Sequence, residues 1–203
     1  MDPRTAASIW GGVELGMVSA ATVQIAHFYN LPVNIYGFST NSYDYDIQNG
    51  YERMQNAMLP ALAGADELSG IGQIGAGVMS SLAQIVLDNE IAASVKQARR
   101  GITVDADSLA FDVINEAATG KGDFISSQHT RRYTRNGEIL LPRLAERKTW
   151  DGWDSDGRGG MVARAHAEAE RILAQHQPEP LSREQETELD KILDSADDEL
   201  SRI

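Results

Sequence analysis

The order of helical and strand patterns in the first hundred residues limits the possible folds more than any other feature. Three helical patterns alternate with two short apolar runs, and the five segments are Gly12–Tyr29, Val33–Tyr36, Asp46–Leu62, Glu67–Ile71 and Ser80–Arg100. Strands that are joined through helices favour a parallel sheet built from βα units. Ligands of such sheets usually bind in the loops that follow the strands, so we look for a site there.

Local signals define where the helices begin and end. Asp46 is a suitable N-cap for the second helix, Gly64 is a suitable C-terminal stop, and Gly101 ends the third helix. The first helix collects apolar residues near one face, which we predict to be buried: Val13, Met17, Ala20, Ala21, Val23 and Phe28.

The pattern is less regular after Gly101. Asp105 or Asp107 can cap a helix that continues to Ala117, and the stretch "GKGDFISSQHTRRYTRNG" has the composition of a loop that could include a short strand. A hinge rich in glycine and aspartate, "DGWDSDGRGG", precedes two polar helices at about Met161–His176 and Ser182–Leu200. Ser182 and Gln185 have the spacing of a capping box for the last helix.

Composition excludes several classes of function. The net charge of −12 and the pI near 4.7 repel phosphate backbones and anionic membrane surfaces, so we expect neither a nucleic-acid nor a membrane partner. The absence of cysteine removes disulfides, thiolate nucleophiles and thiolate metal sites, and we expect no metal centre. The N-terminus lacks a signal-peptide pattern, and the cytoplasm is therefore the expected compartment.

Aromatic residues concentrate in and around the loop after the first predicted strand. Five of the six tyrosines lie between Tyr29 and Tyr51, although aromatic residues make up only 6% of the chain. Ring faces attract cations that cannot donate hydrogen bonds, such as quaternary ammonium groups, and a carboxylate adds attraction. The loop therefore predicts a cation cage of Tyr36, Phe38, Tyr43 and Asp46. In the alternative interpretation, Tyr36 and Phe38 belong to the core while Tyr43 and Tyr45 only cover the loop.

A glycine motif follows the second predicted strand. Gly70, Gly72 and Gly75 match G-x-G-x-x-G, the pattern of a dinucleotide-binding turn. The strand before it is poor in β-branched residues, and Asp105 lies about thirty residues beyond the motif rather than about twenty. We therefore favour a glycine turn that lets a backbone or a flat ligand approach closely. His129, which is flanked by hydroxyl and arginine residues, is a further site candidate.

Long ordered stretches of the sequence resemble one known family. The stretches are "GGVELGMVSAATVQIAHFYNLPV", "DIQNGYERMQNAMLPALAGADELSGIG", "SLAQIVLDNEIAASVKQARRGITVDADSLAFDVI" and "HTRRY". They resemble the trimethylamine methyltransferase family of corrinoid-dependent methyltransferases. The resemblance implies an α/β fold, the C-terminal half of a (β/α)8 TIM-type barrel at residues 1–148, with a helical C-terminal extension at 149–203.

The resemblance also implies an activity. Members of the family pass a methyl group from a methylated amine to the cobalt of a corrinoid (cobalamin) that a partner protein carries, so this chain would bind no cofactor directly. Where the family often has serine–aspartate and lysine, this chain has Thr40–Asn41 and Tyr43, and no pyrrolysine is present. The lack of pyrrolysine disfavours trimethylamine, and the resemblance implies a quaternary or tertiary, betaine-like amine as the substrate.

Site residues follow from the resemblance together with the aromatic loop. We assign the substrate to Tyr36, Phe38, Tyr43, Asp46, Gln48 and Glu14, and the corrin face to Gly70, Gly72 and His129. Two alternatives stay open, a non-catalytic remnant that binds a corrinoid protein and, ranked lower, a nucleotide-binding oxidoreductase. Because family members are about twice as long, we also expect this chain to join a missing N-terminal half or to form a homo-oligomer.

Overall fold

The computed structural model describes residues 1–201 of the chain, and in them helix predominates, with 54% helix and 5% strand. The helices are Val13–Phe28 (α1), Ile47–Ala63 (α2), Leu82–Arg100 (α3), Ala106–Leu109 (α4), Phe111–Ala118 (α5), Gln128–Tyr133 (α6), Trp150–Ser155 (α7), Met161–Gln175 (α8) and Arg183–Leu200 (α9). The strands are Asn34–Tyr36 (β1), Glu67–Ser69 (β2), Gln73–Ile74 (β3) and Met79–Ser80 (β4).

The predicted βα alternation is confirmed in the first half of the chain. Strands β1 and β2 pair in parallel and are connected along the chain by helix α2. Ile35 lies opposite Leu68, and Tyr36 lies opposite Ser69. Because the strands are parallel, the loops that follow them leave the sheet at the same edge. We call residues 37–46 the first site loop and residues 70–81 the second site loop.

The predicted helix ends are confirmed as well. The Asp46 carboxylate accepts a hydrogen bond from Asn49 N at 2.9 Å, and α2 ends at Gly64, whose φ of +103° is in the left-handed region. Ser81 caps α3, and Gly101 follows its last residue. The main hydrophobic cluster lies between α2, α3 and the first site loop, and it contains Phe38, Ala57, Ala61 and Val95.

A closed barrel is absent from residues 1–201, and the predicted barrel fragment is not confirmed. The four strands form two separate sheets of two strands each, and none is longer than three residues. The predicted glycine turn contains a small antiparallel hairpin, β3 and β4, which the pattern did not indicate. Several glycines of this loop have positive φ, which permits so tight a path.

The predicted buried face of α1 is confirmed at Val23 but is wrong for its larger residues. Met17 is 61% exposed and Phe28 is 81% exposed, whereas the buried residues of the helix are Gly16, Ser19 and Val23. The small residues permit close contact with α2. A Cβ on Gly16 would lie 2.8 Å from Leu59 Cδ1 and 2.9 Å from Asn56 Oδ1.

Beyond Gly101 the predictions are confirmed in part. Asp105 caps α4 through a capping box with Ser108, but the predicted helix is interrupted at Ala110, whose φ is +49°. The stretch expected to be a loop contains helix α6. At the start of this helix the Ser127 side chain accepts a hydrogen bond from Thr130 N. Helices α8 and α9 and the capping box between Ser182 and Gln185 are confirmed.

The chain divides into two compact units, one covering Met1–Glu170 and the other beginning at Arg171. Helix α8 crosses this division, while the predicted domain boundary at residue 148 stays a prediction. In residues 1–201, no helix has the combination of length and apolarity that a membrane span requires.

Candidate substrate site

The N-terminal segment, residues 8–12, is hydrogen-bonded to the first site loop, at the sheet edge where the loops after β1 and β2 leave the sheet. Asn41 Oδ1 accepts hydrogen bonds from Trp10 N at 2.7 Å and from Gly11 N at 2.6 Å. The amide group of the same side chain donates to Ser8 O at 2.8 Å. Asn41 thus fixes three successive peptide groups of the N-terminal segment. It brings this third stretch of chain to the loops after β1 and β2.

A buried carboxylate holds the first site loop against α2. Glu52 Oε2 accepts from Thr40 Oγ1 at 2.6 Å and from Asn41 N at 2.8 Å, and its Oε1 accepts from Gln48 Nε2 at 3.0 Å. Gly11 lies so close that a Cβ there would overlap the Glu52 carboxylate. Gln48, which we predicted to bind substrate, is therefore engaged with Glu52, and its role in binding stays a prediction.

A fully buried ion pair joins both site loops to the helices. Arg53 Nη1 donates to Asp88 Oδ2 at 2.8 Å and to Phe38 O at 3.1 Å, and Nη2 donates to Gln73 O. Asp88 also accepts from Gly72 N at 2.7 Å. Burial raises the pKa of the Asp88 carboxyl, while the Arg53 guanidinium opposes that shift by stabilising the charged form. The pair therefore sets the relative position of the two loops.

The predicted cage residues occupy different environments. Tyr36 is half-buried at the end of β1, and its ring lies 5.2 Å from the Trp10 ring, with the planes inclined at 58°. Phe38 is only 3% exposed and packs in the main cluster, so the core interpretation accounts for its burial. Its assignment to the substrate stays a prediction, and we leave it out of the site proposed below.

The two tyrosines of the first site loop, Tyr43 and Tyr45, have different surroundings. Tyr43 is 68% exposed, and its ring covers Gly75, where a Cβ would lie 2.7 Å from the ring atoms. The Tyr45 hydroxyl pairs with Ser81 Oγ, and its ring meets the His166 ring edge-on at 5.4 Å. Tyr43 thus remains open to a ligand, whereas Tyr45 serves packing between elements.

The two predicted carboxylates are both exposed. Asp46 accepts from Asn49 N and from Ser42 Oγ, each at 2.9 Å, and these hydrogen bonds hold the pKa of its carboxyl below the usual value. Glu14 lies in the first turn of α1, and its carboxylate lies against Gly12, where it would be 2.6 Å from an added Cβ. Asp46 is engaged as a helix cap, and Glu14 adds negative charge beside the N-terminal segment.

The residues predicted to face a corrin have local roles. Gly72 is buried, with its N–H on Asp88 and its Cα against Ile85, so it presents no open surface. His129 lies on α6, where Nε2 pairs with Asp107 O at 2.8 Å and the ring stacks on Tyr133 at 4.3 Å. Gly70 stays partly exposed beside Tyr36. Direct corrin contact by Gly72 and His129 therefore has no support from their surroundings and stays a prediction.

The glycine motif is closed to a pyrophosphate. The N–H groups that such a turn would offer are taken within the protein: Gly72 N donates to Asp88, Gly75 N to Ser42 O and Ala76 N to Thr40 O. The Gly70 Cα approaches Phe38 O, where a Cβ would lie at 2.8 Å. The motif is explained by close approach of two loops, as we favoured, and the geometry opposes the oxidoreductase alternative.

A second polar cluster, which the sequence patterns did not reveal beyond His129, lies between α4 and α6. Asp107 accepts from Arg132 and from Tyr133 Oη at 2.9 Å, and these partners hold the pKa of its carboxyl below the usual value. The cluster borders an open cleft of about 570 Å3. Since the charges there are already paired and exposed, we regard the sheet edge as the better candidate site.

Comparison with known proteins agrees with the sequence resemblance. The family model for trimethylamine methyltransferase (MTTB) matches residues 1–201. Trimethylamine methyltransferase MttB of Desulfitobacterium hafniense is 35% identical over 98% of this chain and 40% of its own length, and that of Methanosarcina barkeri is 34% identical over 92% and 37%. A glycine betaine methyltransferase of Desulfitobacterium hafniense is 32% identical over 93% and 39%. The chain thus spans about two fifths of the length of these relatives.

Proposed function

Because the chain belongs to the trimethylamine methyltransferase family, we propose that it forms the substrate-binding part of an enzyme that removes a methyl group from a betaine-like, quaternary or tertiary amine. The observation that supports this most is the convergence of the first and second site loops at one edge of the β1–β2 sheet. Tyr36 and Tyr43 border that edge, and Glu52 and the Arg53–Asp88 pair hold it in place.

The acceptor in this proposal is the cobalt of a corrinoid carried by a partner protein. The chemistry that a reduced corrinoid supplies is displacement at the methyl carbon, in which a cobalt electron pair forms the new bond and the C–N pair stays on nitrogen. A quaternary substrate then leaves as a neutral amine, and no residue has to supply a proton. The residues of this chain bind the cation through ring faces and orient one methyl group.

We further propose that residues 1–148 are the C-terminal half of a (β/α)8 barrel. The parallel β1–α2–β2 unit followed by α3 supports this, because it repeats the connection from which such barrels are built. The chain also covers only about two fifths of its relatives, so strands contributed by a further segment or chain would be needed to close a barrel.

The test is a methyl-transfer assay on the chain itself. Purified protein, chemically reduced cobalamin and a panel of glycine betaine, other betaines, tetramethylammonium and trimethylamine are combined without oxygen. Methylcobalamin is followed by absorbance and the demethylated amine by NMR. We expect transfer from at least one quaternary amine, and lower transfer in Tyr43→Ala than in the control Tyr29→Ala, which changes an exposed tyrosine that follows α1 and lies outside both site loops.

Two other outcomes have distinct meanings. If no methylcobalamin forms and no amine is consumed, yet the chain captures a corrinoid protein in a pull-down, the non-catalytic alternative replaces the enzyme. If no amine of the panel binds, the proposed substrate site is wrong.

A further inference from the structure

An inclined pair of aromatic rings lies at the sheet edge, and only one of the two was predicted from the sequence. The Trp10 and Tyr36 centroids are 5.2 Å apart, and the planes are inclined at 58°, so neither ring covers the other completely. Trp10 is 38% exposed, and Tyr36 is half-buried at the end of β1. Trp10 lies on the N-terminal segment, outside the helices and strands of the described residues.

Trp10 is instead held by the side chains of other elements. Its own N–H and that of Gly11 both donate to Asn41, and Gly11 O accepts from Gln55 Nε2 at 3.0 Å and from Asn56 Nδ2 at 2.8 Å. Gly11 also provides the space that the buried Glu52 carboxylate needs. The folded protein thus fixes the backbone on which the indole ring is mounted.

The position of Tyr36 is equally constrained. Its backbone pairs with β2, and a Cβ on Gly70 would lie 2.8 Å from its Cε1 atom. Gly70 has a φ of +96°, which a side chain would make costly. Both rings are therefore preorganised before any ligand arrives, which reduces the entropy lost on binding.

From these observations we infer that Trp10 and Tyr36 form two walls of the substrate site and select a quaternary ammonium group over a protonated tertiary amine. The inference rests on the proposed function for its substrate class. Tryptophan offers the strongest ring face for a cation, and the net charge of −12 favours the approach of a cation. A protonated tertiary amine additionally needs an acceptor for its N–H. Of the two carboxylates beside the N-terminal segment, Glu52 is buried and already accepts three hydrogen bonds, whereas Glu14 is exposed to water and attracts either kind of cation.

The experiment measures binding by calorimetry to the whole chain and to its variants. The variants are Trp10→Ala, Trp10→Phe, Tyr36→Ala, Tyr43→Ala and the control Trp150→Ala. The ligands are tetramethylammonium, trimethylammonium and glycine betaine, together with 3,3-dimethylbutanoate, which has the shape of glycine betaine without the positive nitrogen. Trp150 is the matched control because it is exposed and its ring pairs with that of Trp153 within helix α7.

We expect Trp10→Ala to weaken glycine betaine and tetramethylammonium binding about 2- to 30-fold, and Trp10→Phe to retain part of the affinity. We expect Trp150→Ala to bind like the wild type, and the wild type to prefer tetramethylammonium to trimethylammonium. Thermal unfolding of each variant, followed by circular dichroism, shows whether the fold is kept. Trp10→Phe keeps the test valid if Trp10→Ala does not fold.

The failures are distinguishable. If the wild type binds none of the ammonium ligands, the proposed function falls and this inference falls with it. If the wild type binds glycine betaine, Tyr36→Ala and Tyr43→Ala weaken that binding and Trp10→Ala does not, the proposed function stands and the role of Trp10 is wrong. If the wild type binds 3,3-dimethylbutanoate as tightly as glycine betaine, the site recognises shape rather than charge, and the inference is again wrong.

Discussion

The buried Arg53–Asp88 ion pair is the single contact on which the position of both site loops most depends. Both side chains are fully buried, and together they bond to the backbone at Phe38, Gly72 and Gln73. Taking two charges out of water is costly, and that cost is compensated only while both partners and their hydrogen bonds are present. Loss of one partner leaves the other as an uncompensated buried charge.

We therefore predict that Asp88→Ala lowers the free energy of unfolding by about 3–5 kcal/mol. Urea denaturation followed by circular dichroism measures the change. Asp190→Asn on the exposed helix α9 is the control and is expected to change the free energy by less than about 0.5 kcal/mol. A decrease below about 1 kcal/mol for Asp88→Ala would show that the cavity relaxes or admits water, and that the pair does not hold the loops.

The Asp46 carboxylate should make the stability of the fold depend on pH. Its pKa in the folded protein is lowered by the hydrogen bonds from Asn49 and Ser42, so the carboxylate stabilises the fold above its unfolded pKa of about 3.9. That stabilisation is lost as the pH falls through the lower, folded pKa. We expect Asp46→Ala to lower the midpoint of thermal unfolding by about 2–4 °C at pH 7 and by less at pH 3. An equal difference at both pH values would contradict the assigned cause.

At the scale of secondary-structure elements, glycines in two helices have opposite surroundings. Gly16 on α1 lies against Leu59 and Asn56 of α2, whereas no atom lies within 4 Å of a Cβ added to Gly50 on α2. Alanine is the better helix former of the two residue types. Whether a glycine-to-alanine substitution raises or lowers the free energy of unfolding should therefore depend on the space around the added methyl group, and not on helix propensity alone.

We predict that Gly50→Ala raises the free energy of unfolding by about 0.5–1 kcal/mol and that Gly16→Ala lowers it by about 1–3 kcal/mol. Paired urea denaturation curves of the two variants decide the question. Stabilisation by Gly16→Ala would mean that α1 can move away from α2 without loss, and the close contact would then contribute little to the fold.

The same helices show which parts of the structure the sequence could predict. The N-caps of α2 and α9 are local, because the capping side chain and the N–H that donates to it lie three residues apart, and they were predicted, as was the end of α3 at Gly101. Of the buried face of α1 only Val23 was predicted, because the small residues Gly16 and Ser19 pack there while larger apolar residues lie outside. Helix α6 was missed because its cap, from Ser127, lies in a stretch whose composition resembles a loop.

The candidate site likewise has parts that the sequence could predict and parts that it could not. Aromatic composition pointed to Tyr36 and Tyr43, and βα order indicated the sheet edge beside which the structure places them. The partners Arg53 and Asp88 are separated by 35 residues, and Asn41 reaches back 31 residues to Trp10. Contacts over such separations depend on the tertiary fold, so a single sequence could not reveal that Trp10 lies against Tyr36.

For the molecule as a whole, the exposed face of α1 is the most informative surface. Met17, Val18, Ile25 and Phe28 are all more than half exposed, and the neighbouring β1–β2 sheet has only two strands. A sheet of two strands is marginal by itself, and contiguous exposed apolar surface commonly marks an interface. The relatives are about two and a half times longer than the matched region, so this face would have further protein to cover it in an assembled enzyme.

We accordingly predict that the isolated chain self-associates through α1. Sedimentation velocity over a range of protein concentrations should show mass above the 22.1 kDa monomer, and Val18→Lys with Ile25→Lys should shift the distribution toward the monomer. The control is Asn89→Lys with Asn115→Lys, which adds the same charge on α3 and α5. If that control dissociates the chain equally, net charge rather than the α1 face governs association. If the wild type is a monodisperse monomer that unfolds cooperatively, the apolar face of α1 is tolerated in water, and the need for a second copy or a further segment disappears.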